Sequence, residues 1–236
     1  MDYTESVLIE LKKWQKQMLR KPSLINKLSK KAQTKINSFI PEKVHKAITE
    51  TIKQMIRGVL FGAGIITTKR NTKDPLEIKE RLIEERIKWY KTTAAAEGGV
   101  TGAGGILLGL ADFPLLLGIK IKLLFDIAAM YGFNVNEYKE RIYILYIMQL
   151  AFSSHEERRN IYLKMADWHE HARHLPDDIN KFDWRTFQQE YRDYIDLAKM
   201  AQLIPIIGAP VGVIVNYRLI TKLGETAMNA YRMRLL

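Results

Sequence analysis

The sequence contains no cysteine. Disulfides, thiolate metal sites and a thiol nucleophile are therefore excluded, and a reducing compartment suits the chain. A secretory leader is missing from its start: MDYTESVLIELKKWQKQ has no basic opening followed by an apolar run and a small-residue cleavage site. No apolar run reaches the length of an ordinary transmembrane helix, about eighteen residues or more. The nearest, Met200–Tyr217, is uncharged but interrupted by Pro205 and Pro210. Period-two strands and tandem repeats are absent. There is no GxxxxGK[ST] loop, and Gly102-Ala103-Gly104-Gly105 follows a helical pattern rather than a strand, so nucleotide binding is not expected.

Acidic residues are scarce in the first third. Residues 1–75 hold 16 Lys/Arg against 6 Asp/Glu, whereas the remainder holds 21 against 20, so nearly all of the net +11 lies near the start. Such a lopsided field favours an anionic partner. No nucleic-acid motif accompanies it, and Trp14, Phe39 and Phe61 are too sparse for base stacking, so no nucleic-acid role is expected. Basic amphipathic helices on anionic lipid are the simpler account, with Lys12, Lys16, Lys27, Lys31 and Lys35 as candidate contacts to lipid or a partner. The bland alternative is that these lysines only solvate one face of a bundle.

What the sequence does contain is helical periodicity throughout. Val7, Leu11, Trp14 and Met18 mark a first helix, Ile25 to Phe39 a second, and Val44, Ile48, Ile52, Met55 and Val59 a third after Pro41. Residues 62–73 read as a linker. Asp74-Pro75-Leu76-Glu77 is a helix start, Pro114–Tyr131 a nearly all-apolar helix ended by Gly132, and Asn136 a cap for the next. Ser154-His155-Glu156-Glu157 reads as a capping box for a helix running to Leu175-Pro176. Asp183 opens another, and a last helix runs from about Pro210 to Arg234. The expected fold is an all-α multi-helix bundle, with residues 1–73 a basic amphipathic region and 74–236 the helical core.

Two uncharged segments stand out, Gly98–Ala111 and Met200–Tyr217. Gly98, Gly102, Gly105 and Gly109 step by four, three and four, and would share one face of a continuous helix; Gly208 and Gly212 repeat the spacing. Each interior glycine costs a helix about 1 kcal/mol relative to alanine, and close backbone approach is what offsets that. The two segments are therefore expected to pack as a tight helical pair, in lipid or in a protein core. A glycine loop with two turns is the alternative.

Among polar residues, Glu97, Asp112, Asp126, Asn216 and Arg218 are candidates for burial within apolar surroundings. Lys122 and Asp126 are spaced to pair. Asp112 before Phe113-Pro114 reads as a helix N-cap. The run Asp167-Trp168-His169-Glu170-His171-Ala172-Arg173-His174 offers metal-ligand spacings but is charged on all sides, as exposed helices are, so no metal or other cofactor is assigned. No catalytic triad or paired carboxylate stands out, and no catalytic residue is named.

AAAEGGVTGAGGILLGLADFPLLLGIKIKLLFDIAAMYGF, the ERIYILYIM helix after it, and the closing IPIIGAPVGVIVNYRLITKLGETAMNAYRMRLL resemble the EcsC protein family. Asp112-Phe113-Pro114, Tyr131-Gly132 and Asn216-Tyr217 are the most specific parts of a likeness covering about Leu76 to the C-terminus. The resemblance implies a bacterial protein connected with the Ecs ABC transporter, with its subunits as partners, in secretion and in handling products of membrane proteolysis. It carries no biochemical activity onto individual residues. The expected function is a non-enzymatic accessory protein, cytoplasmic and peripheral on the inner face of the cell membrane. A soluble lipid or peptide carrier, and a hydrolase or metal-dependent enzyme, are the alternatives.

Overall fold

The first apolar stripe does what its spacing requires. In helix α1 (Tyr3–Leu19), Val7, Leu11 and Met18 are buried and Trp14 packs edge-on against Tyr162 at 5.9 Å. The Glu5 carboxylate accepts a hydrogen bond from the Asp2 backbone N–H, 3.2 Å, and closes the start of the helix. The computed structural model describes residues 2–20, 50, 53–54, 56–59, 73–102, 105–153, 157–178, 181, 183 and 209–236; for 94–102, 105–117 and 209–216 it describes the helical backbone alone. The expected helices over Ile25–Phe39 and after Asp183, and most of the 62–73 linker, lie outside these residues. Of the third expected stripe, Val59 is buried, with Ile56 beside it.

The chain is all-α. Helix α2 (Leu76–Gly102) begins where Asp74-Pro75 directs it, the Pro75 carbonyl accepting from the Lys79 N–H at 3.1 Å. Helix α3 (Gly105–Tyr131) is stopped by Gly132, whose φ of 101° is a conformation that favours glycine. Helix α4 (Tyr138–Phe152) is buried on every side from Ile142 to Phe152, as its uncharged run ILYIMQLAF demands. Helices α5 (Arg158–Ala166) and α6 (Trp168–Arg173) follow, then α7 (Ala209–Leu235).

Cross-links along the long helices set their directions. Glu80, Ile87 and Lys91 of α2 meet Arg232, Gly224 and Tyr217 of α7 in turn, so the two are antiparallel. Glu80 and Tyr90 of α2 bond Tyr131 and Asp126 of α3, so that pair is antiparallel as well. Helix α4 is tied to α7 by the Tyr143 hydroxyl, which donates to the Ala230 carbonyl at 2.7 Å.

Four local expectations are corrected. The glycine ladder is not one helix face: Gly98 and Gly102 lie in α2, and Gly105 and Gly109 in α3, which is antiparallel to it. Three glycines in the four positions 102–105 concentrate the helix penalty at one point of the sequence. Asp112 is not an N-cap, because α3 begins at Gly105 and runs through Pro114. Helix α4 takes Glu137 rather than Asn136 as its N-cap; Asn134 instead organises the turn, accepting from the Asn136 N–H and donating to Glu137. The helix after Glu157 breaks at Asp167, whose φ −110° and ψ 47° are not helical.

Candidate functional site

Among the described residues, Glu80, Asp126, Glu140 and Arg232 enter the core in matched sets. Glu80, with no exposed surface, sits in the apolar stripe of α2 between Leu76 and Ile83. Arg232 of α7 grips it with both arms of its guanidinium, Nε to Oε1 at 2.8 Å and Nη2 to Oε2 at 2.7 Å. The Tyr131 and Tyr3 hydroxyls donate to the same two oxygens, at 2.8 and 2.7 Å. Four donors fill the roughly four lone-pair sites of a carboxylate. Burial alone would raise the Glu80 carboxyl, but the bonds from Arg232 and Tyr3, the Arg232 charge and the Tyr131 bond outweigh it and hold the group below its ordinary value. A carboxylate so saturated is a clamp between α1, α2, α3 and α7. It is a poor general base.

A second set lies at the other side of α7. Glu140 of α4 accepts from the Tyr231 hydroxyl and from Arg234, both at 2.7 Å. The Arg234 guanidinium stacks 4.0 Å from the Phe133 ring centroid and 4.4 Å from that of Tyr143. Here burial wins: it pushes the Glu140 carboxyl above its ordinary value despite Arg234 and Tyr231. A third set joins α2 to α3, where buried Asp126 accepts from the Tyr90 hydroxyl at 2.8 Å and pairs with Lys122 one turn away. Burial, with the bond to Asp126, raises the Tyr90 phenol out of any physiological titration range.

Sequence reasoning missed Glu80, Glu140, Arg232 and Arg234. Their signal was present, since each charge falls on an otherwise apolar helix stripe, but nothing in one sequence pairs residues more than ninety positions apart. Of the residues it did single out, Asp126 is buried and Lys122 pairs with it. Arg218, expected among the buried polar groups, is exposed: Leu219 and Ile220 take the inward face of α7 and turn it out. Glu97, Asp112 and Asn216 are placed as backbone positions in α2, α3 and α7, as is Gly212 in α7. Lys27, Lys31, Lys35 and Gly208 lie outside the described residues.

Lys12 and Lys16 are exposed on α1. With Lys13 and Arg20 they make the second half of that helix wholly basic, since residues 11–20 contain no acid. The first half is anchored: Tyr3 bonds Glu80, and Glu10 meets Arg232 at 3.2 Å. The histidine-rich α6 is engaged in its own contacts, His171 with the Tyr146 hydroxyl at 3.3 Å and His169 with Arg173 at 2.7 Å. Among the described residues no group of three or more His, Asp or Glu is placed to hold a metal ion. Nor, among them, is any helix long and apolar enough to cross a membrane.

Comparison with known proteins agrees with the sequence resemblance. The model of the EcsC protein family matches residues 5–236. A Bacillus subtilis (strain 168) protein named "Protein EcsC" is 44% identical over 237 residues, spanning 100% of this chain and 98% of its own length. "Uncharacterized protein YdbA" of the same organism is 27% identical over 249 residues, covering 96% of this chain and 90% of its own. No solved structure matches.

Proposed function

The chain belongs to the EcsC protein family, and on that premise we propose that it is a non-enzymatic accessory protein of an ABC transporter, held at the cytoplasmic face of the membrane. The observation that carries the reading is the basic half of α1. Its apolar face is fixed to the core, so Lys12, Lys13, Lys16 and Arg20 are displayed outward as a preformed row. Each such cation near an anionic leaflet contributes about 1 kcal/mol, and the attraction fades within a Debye length. The absence of acid in residues 11–20 keeps that attraction uncompensated. The buried carboxylates support the non-enzymatic half of the reading, since each is occupied in joining helices.

The partner in this proposal is the Ecs transporter, through its membrane subunit or its ATPase. Fractionation of cells that contain both tests it. The chain is expected in the membrane pellet and in transporter preparations purified through a tagged transporter subunit. Recovery wholly in the supernatant, with none accompanying the transporter, would overturn the proposal.

A further inference from the structure

The bundle changes character along its length. In α2, nine of the sixteen residues 76–91 are charged; of residues 92–102, only Glu97 is. Because α3 and α7 are both antiparallel to α2, residues 105–119 and 209–216 run beside 92–102 to the same end of the molecule. Those two stretches add a single charge, Asp112. Among the described residues, one end of the bundle is thus formed by the end of α2 and the starts of α3 and α7, with two charged residues in the three stretches.

The changeover is marked by a collar. Trp89 is 54% exposed and Tyr217 48%, far more than is usual for such rings in a soluble core. The Lys91 ammonium lies 5.1 Å from the Tyr217 ring centroid, which sets α2 and α7 at one level there. Arg218 is exposed beside Tyr217, and Lys122, 36% exposed, lies on the same side of Asp126 as the uncharged end. Exposed Trp and Tyr interleaved with long cations are the residues that settle at the headgroup level of a membrane. From Lys91 to Gly102 the helix rises about 16 Å, roughly half of a ~30 Å hydrocarbon core.

We propose that this uncharged end dips into one leaflet of the bilayer, with phospholipid acyl chains around it and the collar among the headgroup phosphates. The inference rests on the membrane reading above and adds a mode of attachment to it. The depth follows from the geometry: the helix is long enough for one leaflet and too short to cross two. Glu97 and Asp112 lie five and seven residues from the ends of the hairpin helices, so they stop roughly 8–10 Å short of the bilayer midplane. That keeps both carboxylates nearer the headgroups, where an ionisable group is tolerated.

The absence of cysteine makes the test direct, because a single introduced thiol carries the only label. Full-length Leu107→Cys and Glu170→Cys, each bearing an environment-sensitive fluorophore, are mixed with phosphatidylglycerol vesicles with and without doxyl-labelled acyl chains. The same samples are floated to measure binding. The label at position 107 should brighten severalfold and be quenched by the doxyl chains, while the label at 170, on exposed α6, should do neither. Trp89→Ser should lower the part of binding that survives high salt. Vesicles that carry the protein without quenching at position 107 would overturn insertion and leave surface attachment standing. No flotation of either labelled protein would overturn both.

Discussion

Glu80 and Glu140 are both buried glutamates paired to an arginine two residues apart on α7, yet their carboxyls move in opposite directions. The difference lies in donors: Glu80 receives two guanidinium bonds and two phenols, Glu140 one of each. Opposite stability slopes follow. Glu80, held below 4.5, contributes stability that is present above that pH and lost as pH falls through its folded value. Glu140, raised above 4.5, contributes stability that is present below that pH and lost as pH rises through its folded value. In urea titrations, Glu140→Gln should remove a decline in stability on the alkaline side of 4.5 and leave the acid-side loss in place. Breaking the other clamp should be costlier. Glu80→Gln or Arg232→Met strands a buried partner and is expected to lose about 3–5 kcal/mol, measured by the same method. The sequence reading passed over both members of this clamp, because Glu80 and Arg232 are brought together only by the antiparallel course of α2 and α7.

At the scale of elements, α2 and α7 approach closely at Gly224, a residue outside the glycine spacing noted in the sequence. A Cβ there would lie 2.7 Å from Cδ1 and 2.9 Å from Cγ1 of Ile87, inside any normal contact. Gly224→Ala gains about 1 kcal/mol of helix propensity but forces α2 and α7 apart, at a cost of about 1–3 kcal/mol. The expected outcome is a net loss in thermal or urea stability, with Ile87→Val in the same chain recovering part of it. Helix existence was legible from the apolar period in α1 and from the Asp74-Pro75-Leu76-Glu77 start in α2. Helix ends were not. Asp112-Phe113-Pro114 has the letters of an N-terminus, but α3 continues through it, and the run after Glu157 has no glycine or proline to announce the break at Asp167. Local signals rank the sites where a helix can start or stop, and tertiary packing chooses among them.

Over the whole molecule, charge and hydropathy are separated along the chain. The excess of cations in residues 1–75 was visible in the composition. Of those cations, Lys12, Lys13, Lys16 and Arg20 are turned outward because Val7, Leu11 and Met18 face the core, as the stripe foretold. The uncharged end was visible as two segments, but the single hairpin that α2 and α3 make of the first one required the contacts of Tyr90 and Tyr131. If the basic face of α1 steers the chain to lipid, Lys12→Glu with Lys16→Glu should reduce vesicle binding by about thirtyfold or more at low salt and change it little at high salt. Both lysines are exposed, so folding should be unaffected, a point that circular dichroism checks.

Flotation of the full-length protein with phosphatidylglycerol vesicles over a range of salt concentration tests the membrane account most directly. The account predicts that the protein rises with the vesicles, that the bound fraction falls as salt screens α1, and that a remainder persists because an apolar end is indifferent to screening. Protein that stays at the bottom of the gradient at low salt would contradict it.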